Sequence, residues 1–338
     1  MSAARLRLAA SIASGGATVA TRSACRAGRR SPAQRGPADR ALADRALAAA
    51  AAVMLDRTLG EPDVEPHPLV CFGRFMDAVE RRLHRDHRLA GVVHAAIGLG
   101  VAGALGRLVP STTVATYLAV GGRSLAEAAT AVDAALAEGD LATARRLLPA
   151  LVGRDPEGLD PGEVARAVVE SVAENTVDAV VAPVLWAALA GAPGALGYRA
   201  LNTLDAVVGH RSPRHLRYGW ASARLDDLAG WVPARVTALL VVAARPSAAR
   251  LVARAVRHQA PAHPSPNAGV AEAAFAAALG LRLGGANRYG ERVEHRPALG
   301  EGRPAAPADI SRAVRLSLDV GVLLATSAAA TALVAHPR

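Results

Sequence analysis

The stretch Glu170-Ser171-Val172-Ala173-Glu174-Asn175-Thr176-Val177-Asp178 runs directly into AVVAPVLWAALAGAPGALGY, residues 179–198, which carry no charge. An apolar run of that length is close to what a bilayer core asks of one helix. Glu170, Glu174 and Asp178 are spaced i, i+4, i+8, so on a helix the three carboxylates share one face. Unpaired acids at the mouth of a membrane-length helix are costly. The partner this pattern asks for is a metal ion or a cationic substrate. Carboxylates and amide oxygens are the hard ligands that Mg²⁺ prefers. The competing reading is a solvated helix face on which Arg166 pairs with Glu170 at i+4, the usual state of charged helix faces.

Apolar helices recur on both sides. Residues 41–59 form one, ending in Leu55-Asp56-Arg57. Gly60-Glu61-Pro62 and Pro66-His67-Pro68 then break the chain, because proline cannot continue a helix. Residues 69–88 read as an amphipathic surface helix. Residues 89–121 hold only Arg107 and His94 as groups that carry charge near neutral pH, and form either one long span or a hairpin bent near Pro110. Residues 122–150 have helical periodicity with ordinary surface charges, and Asp140 is placed to cap the helix that begins after it. Asp160 before Pro161 caps the helix that carries the acidic stripe. Residues 236–244 need 228–235 to reach membrane length, and 316–335 form a last apolar segment. Residues 257–300 are polar and rich in Gly and Pro, and nothing alternates as strands do. The expected fold is all-α: a multi-pass helical integral membrane protein of four or five spans, with polar loops and short amphipathic helices forming the site.

Of 338 residues, 51% are hydrophobic but only 3% aromatic, at a mean hydropathy of +0.21. Ala, Val and Leu therefore supply the apolar surface, and small side chains let helices pack closely in a bilayer. The net charge of +10 is concentrated at one end: residues 1–40 carry eight arginines against Asp39 alone. That segment reads as a disordered Arg-rich leader, in composition like a transit peptide or an overextended start of translation, and 41–338 as one membrane domain. Elsewhere the charges nearly balance and aromatic stacking platforms are lacking, so no nucleic-acid partner is expected. The chain has no lysine, which removes the P-loop. A nucleotide here needs arginine, a metal and backbone amides for its phosphates. Cys25 and Cys71 form no C-x-x-C and offer neither a thiolate metal site nor a disulfide framework.

Three further motifs carry reactive residue types. In Asp56…Gly60-Glu61-Pro62…His67-Pro68…Gly73-Arg74, a histidine is fixed between two prolines, either as an aimed catalytic group or as a helix cap. From Asn202 to Arg235 the chain mixes Asn202, Asp205, Arg211, Arg224, Asp226, Asp227 and Arg235 with Trp220 and Trp231. The arginines offer bidentate donors to phosphate and the paired acids a metal site, unless the stretch only anchors the chain at the membrane interface. His263-Pro264-Ser265-Pro266-Asn267-Ala268-Gly269, with Glu272 just beyond it, pre-sets a backbone that could open a helix towards an anion. Its plain alternative is a Pro-rich connector. The glycines of Gly284-Gly285-Ala286-Asn287 mark a turn.

Taken in order, LDRTLGEP, GRDPEGLD, ESVAENTVDAVVAP, YRALNTLDAVVGHR, YGWASARLDDLAGWVPAR and HPSPNAGV resemble the adenosylcobinamide-phosphate synthase family of cobalamin biosynthesis, the CobD/CbiB type, over roughly residues 50–300. Glu61, where many members have Asp, and His210, where an aromatic often comes after Val-Gly, depart from the family pattern. The resemblance implies a multi-pass protein of the bacterial inner membrane and an acid–amine ligase. That enzyme joins (R)-1-aminopropan-2-ol, or its O-phosphate, to the propionate carboxylate of adenosylcobyric acid with ATP and Mg²⁺, giving adenosylcobinamide or its phosphate. The corrinoid is substrate, and other corrinoid-pathway enzymes are candidate partners. ATP would make an acyl phosphate for the amine to attack, which needs charge neutralisation and a base. The expected catalytic set is Glu170, Glu174, Asp178, Asp226, Asp227, His67 and His263, with Mg²⁺ on Glu170, Glu174 and Asp178. Asn175, Asn202, Asp205, Arg211, Arg224, Arg235, Ser265 and Asn267 are expected to bind substrate. The rival readings are a non-catalytic regulatory or sensory membrane protein on the same scaffold, and a transporter. Dense polar motifs outside the spans favour the enzyme.

Overall fold

The computed structural model describes residues 36–62, 67–210, 212–290 and 292–335. Most of the leader, and Arg211 among the motif residues, lie outside them. Helix α1 (Pro37–Leu59) runs to the Gly60 break, and α2 (Pro68–Leu83) starts at proline with His67 as its N-cap. Pro110 divides the next apolar stretch into α3 (Arg88–Leu108) and α4 (Thr112–Ala119), the two-helix alternative. Helices α5 (Gly122–Ala137) and α6 (Leu141–Leu147) come next, and Asp140 caps α6 by accepting from Thr143 N at 2.9 Å. Helix α7 (Pro161–Thr176) opens with a capping box: Asp160 accepts from Glu163 N at 2.8 Å, and Glu163 accepts from Asp160 N at 2.9 Å. That reciprocal pair, with Pro161 in first position, satisfies two donors the helix leaves open.

A single π-helical turn, Val177–Val181, joins α7 to α8 (Ala182–Leu204), and a second, Asp205–Gly209, ends it. The 49-residue helical run Pro161–Gly209 is apolar enough to cross a membrane, as are α3, α9 (Trp220–Ala244) and α12 (Ala308–Ala335). The long run is nevertheless not one rod. Gly191 sits at φ 67°, ψ −149°, outside any helix. Three residues on, a Cβ at Gly194 would lie 2.1 Å from the Trp186 carbonyl oxygen, which only a chain reversal allows. Tyr198 Oη and Asn202 Nδ2 then reach back to Asp178 at 2.9 and 3.2 Å. The run is a helical hairpin with its tip at Gly191. From Asp178 to the tip each arm is about 20 Å long, short of a bilayer core of roughly 30 Å. Irregular backbone at such depth must be shielded by protein. Gly191 is buried, and Arg45 Nη1 donates to the tip carbonyl of Leu189 at 2.8 Å.

Helix α3 lies along the returning arm, close enough that a Cβ at Gly106 would meet Pro193 Cα at 2.5 Å. Small residues permit that approach. The buried core gathers Val132, Leu148, Val164, Val168, Val172, Phe275, Ile310 and Leu316, on α5, α7, α11 (Ala268–Leu279), α12 and the end of α6. Helix α11 is apolar but for Glu272 and is buried along almost its whole length. The amphipathic helix α10 (Ala249–His258) covers it.

The fold is mainly helical, with one feature the sequence did not announce. Strands β1 (Leu281–Tyr289), β2 (Arg292–Leu299) and β3 (Arg303–Pro304) form a small sheet in the order β2-β1-β3, with β1 and β2 antiparallel from Leu283↔Leu299 to Tyr289↔Arg292. Gly284 and Gly285, at φ 89° and 105°, make the bulge in β1. The glycines and arginines that build this hairpin also erase its alternating pattern, so it reads as a polar turn.

Candidate active site

Glu170 faces inward from α7. Arg154, from the loop before the helix, donates to Glu170 Oε2, and Arg166 donates to Oε1 at 3.2 Å. Gly284 N at the β1 bulge adds a bond at 2.8 Å. Asn287 Oδ1 accepts from Arg154 at 2.8 Å and from Arg166 at 3.1 Å. The pairing with Arg166 thus exists, but inside the protein, where Glu170 is a fully partnered anion that ties α7 to the hairpin of β1 and β2.

Across from it stand His263 and Glu272. Arg296 Nη1 lies 2.8 Å from His263 Nε2, and the only proton on a neutral ring then sits on Nδ1, against Ser265 O at 3.1 Å. Burial, with the Arg296 charge acting in the same sense, holds the His263 imidazole below its ordinary 6.5. Burial, then the charges of Glu170 and Glu174, push the Glu272 carboxyl well above its ordinary 4.5. These side chains, with Ser171, Glu174 and Tyr289, line a polar cleft of about 120 Å³.

Glu174, solvent-accessible within that cleft, also lies in electrostatic reach of Asp178 and Asp205. It links the cleft to a second cluster. A π turn adds a residue to a helix and rotates the side chains beyond it, and here the two π turns carry Asp178 and Asp205. Asp178 accepts from Tyr198 and Asn202 across the mouth of the helical hairpin. Asp226 of α9 is in reach of Asp178, Asp205 and Asp227, and its Oδ1 is buried with no hydrogen-bond partner. Arg199 is the nearby cation, with its buried Nε unpartnered.

Of the other expected residues, Asn175 donates back to Ser171 O at 3.0 Å within its own helix. His67 is a cap, its Nδ1 accepting from Leu69 N at 3.4 Å, with Nε2 buried and unpartnered. Ser265 Oγ accepts from Ala268 N at 3.1 Å and starts α11. Asn267 donates to Asp227 O at 2.9 Å, and Arg235 donates to Pro266 O at 3.0 Å while lying 4.4 Å over the Trp231 ring. His67, Ser265, Asn267 and Arg235 hold segments together. Arg224 is exposed and pairs with Asp227 at 3.7 Å. Sequence reasoning passed over Arg154, Tyr198, Arg199, Asn287 and Arg296 as site residues. The first three stand inside the motif segments GRDPEGLD and YRALNTLD, a signal that was there to use. Asn287 and Arg296 lie in the unforeseen sheet.

The expected Mg²⁺ set does not converge. Glu170 is neutralised by two arginines, and among the described residues no group of three or more His, Cys, Asp or Glu surrounds one point as metal ligands do. Asp178, Asp205 and Asp226 do not form such a three-ligand group either, although carboxylates outnumber cations there and Asp226 Oδ1 is orphaned. A larger cavity of about 590 Å³ lies apart, between α1, α5 and α12, with mostly apolar walls. Its lining nevertheless includes Asp56, Arg57, Arg123 and Glu127.

A family model described as CobD/Cbib protein matches residues 49–317. Cobalamin biosynthesis protein CobD of Mycobacterium tuberculosis (strain ATCC 25618 / H37Rv) is 50% identical over 277 residues, covering 78% of this chain and 88% of that protein. The protein of the same name from Chromobacterium violaceum is 46% identical over 284 residues, with 78% and 89% covered. That from Geobacter metallireducens is 41% identical over 304 residues, with 82% and 94% covered. No solved structure matches. With a family model spanning most of its length and relatives this similar along nearly their whole length, the chain belongs to the CobD/Cbib family.

Proposed function

We propose that the chain is the acid–amine ligase of cobalamin biosynthesis that joins (R)-1-aminopropan-2-ol, or its O-phosphate, to the propionate carboxylate of adenosylcobyric acid at the expense of ATP. Family membership supports the pathway. The observation that carries the chemistry is Glu174, standing between an arginine-lined cleft and the aspartate cluster at the mouth of the hairpin. A carboxylate and an amine do not condense unaided in neutral water, so the carboxylate must first be phosphorylated. Phosphoryl transfer needs fixed cations near the transferred group and acceptors near the amine.

In this reading Arg296 and Arg154 give the cleft its positive wall. Asp226, with its orphaned Oδ1, would meet a Mg²⁺ brought in on the phosphates of ATP, which when bound supplies charge neutralisation for phosphate oxygens. Glu174 accepts a proton from the donor's ammonium, leaving the neutral amine to attack, or orients that amine. His263, with its Nε2 lone pair given to Arg296, positions that arginine instead of acting as the base. The site belongs to the inner membrane, beside the polar ends of the membrane-length helices.

The test is a mass-spectrometric assay of detergent-solubilised protein given adenosylcobyric acid, Mg-ATP and either amine. The amide product with ADP release is expected, and the productive amine identifies the donor. Glu174→Gln should reduce turnover at least about a hundredfold while leaving the protein folded in the membrane. Turnover like that of the wild type removes Glu174 from the chemistry, and a folded, corrinoid-binding wild type without product removes the ligase reading.

A further inference from the structure

Six exposed arginines gather where α3 and α9 begin. Arg81, Arg82, Arg85 and Arg88 come from the end of α2 and the start of α3, and Arg214 and Arg217 from the loop after the hairpin. Local contacts make these two segments one surface. Arg214 Nε meets Glu80 Oε1 at 2.9 Å, and His215 Nε2 meets the same oxygen at 3.0 Å. His84 Nε2 lies 3.0 Å from Arg214 O, and Arg217 faces Asp86 at 3.7 Å. Burial raises and the His215 and Arg214 hydrogen bonds lower the Glu80 carboxyl, the latter prevailing, so it stays ionised as their counter-charge. Three acids, Asp77, Glu80 and Asp86, against six arginines leave three surplus positive charges on this corner.

The residues beside the arginines separate a bilayer from a soluble anion. Leu89 and Leu216 are 66% and 64% exposed, and Val92 and Trp220 are exposed with them. Arg88 stacks over the Trp220 ring at 5.1 Å. Both α3 and α9 are of membrane length and both begin at this corner. Arginines backed by an aromatic and exposed aliphatics at the start of two such helices match the interface of a bilayer, where headgroups meet acyl chains. We propose that this corner binds anionic phospholipid headgroups and seats the adjoining aspartate cluster against the membrane face. The link to the aspartate cluster is short. The same loop begins at Gly209, whose Cα is so close to Asp205 that an added Cβ would fall 1.8 Å from its Oδ1. Headgroups bound at this corner therefore sit directly after the turn that carries Asp205.

The proposal does not depend on which reaction the cleft performs, and its test uses binding alone. Full-length protein, stripped of lipid in detergent, is given phosphatidylglycerol, phosphatidylcholine or inorganic phosphate. Retained lipid is counted by native mass spectrometry, and thermal stability is measured in parallel. Phosphatidylglycerol should be retained in preference to phosphatidylcholine, and less so as NaCl rises. Substituting Arg81, Arg82, Arg85 and Arg217 with Gln should weaken retention by roughly fivefold per residue, with unchanged circular dichroism. Equal retention of the two lipids, or a folded quadruple variant that binds like the wild type, overturns the proposal. So does inorganic phosphate that stabilises as well as phosphatidylglycerol at the same concentration, which would mark a soluble-anion site. If the variant does not fold, lipid preference and salt dependence of the wild type decide the matter.

Discussion

Substituting Gly191 with Ala distinguishes a helical hairpin from a straight rod by the sign of one free energy. In the middle of a continuous helix, Gly→Ala stabilises by about 0.8–1 kcal/mol, because alanine loses less backbone freedom on folding. At φ 67°, ψ −149° the same change is unfavourable, since that region is essentially closed to residues with a Cβ and costs on the order of 1–3 kcal/mol. Crowding does not confuse the result: an added Cβ would find Thr112 Oγ1 at 3.5 Å and Arg45 Cδ at 3.7 Å, both ordinary contacts. Gly197 serves as the internal control, lying within α8 with nothing inside 4 Å of its would-be Cβ. Equilibrium unfolding in detergent, titrated with a denaturing detergent, should rank Gly197→Ala above wild type and Gly191→Ala below it. The Gly191 variant should also lose activity, because the hairpin brings Tyr198 and Asn202 to Asp178. A Gly191→Ala protein as stable as the Gly197→Ala protein would mean that the run does not reverse there, and the aspartate cluster would have to be rebuilt.

The site itself gives three further outcomes. Arg154→Gln leaves Glu170 buried with one arginine in place of two, and should cost about 3–5 kcal/mol in unfolding free energy; a loss below about 1 kcal/mol would show that the pair is solvated. Asp226→Asn should raise the Mg²⁺ concentration for half-maximal turnover at least about tenfold, and an unchanged requirement would move the ion elsewhere. Glu272→Gln tests the buried acid by pH. Its carboxyl is raised in the folded state, so folding takes up a proton above 4.5 and stability falls as pH rises towards the folded value. The glutamine variant lacks that penalty, and its melting temperature should gain on the wild type between pH 5 and pH 8. A gap that is constant or shrinks contradicts the assignment.

The parts of this protein legible in the sequence were those governed by local rules. Pro161 after Asp160 and Asp140 before α6 act within one turn of chain and stand where spacing put them, while at Pro110 the structure takes one of the two readings the sequence allowed. The acidic stripe was also legible as a stripe. Its meaning was not, because periodicity tells which residues share a helix face and not what faces them. Glu170 meets Arg166 one turn before it, a pairing with a local signature, but also Arg154 and the Gly284 amide, 16 and 114 positions away, which had none. Asp178 is one π turn further on and looks into another cluster altogether. The hairpin was hidden by its own composition. AVVAPVLWAALAGAPGALGY has the length and hydropathy of a full span, and only the pair Gly191 and Pro193 betrays that it turns within it. A glycine with proline two positions later is a weak breaker in a bilayer, where both residues are tolerated inside spans. It becomes decisive only when polar residues recur at matching distances on either side: Asp178 lies 13 positions before Gly191, and Asn202 and Asp205 lie 11 and 14 after it. The chain therefore places its acids at one depth because two short arms bring them there, and the arms are short because the acids cannot go deeper.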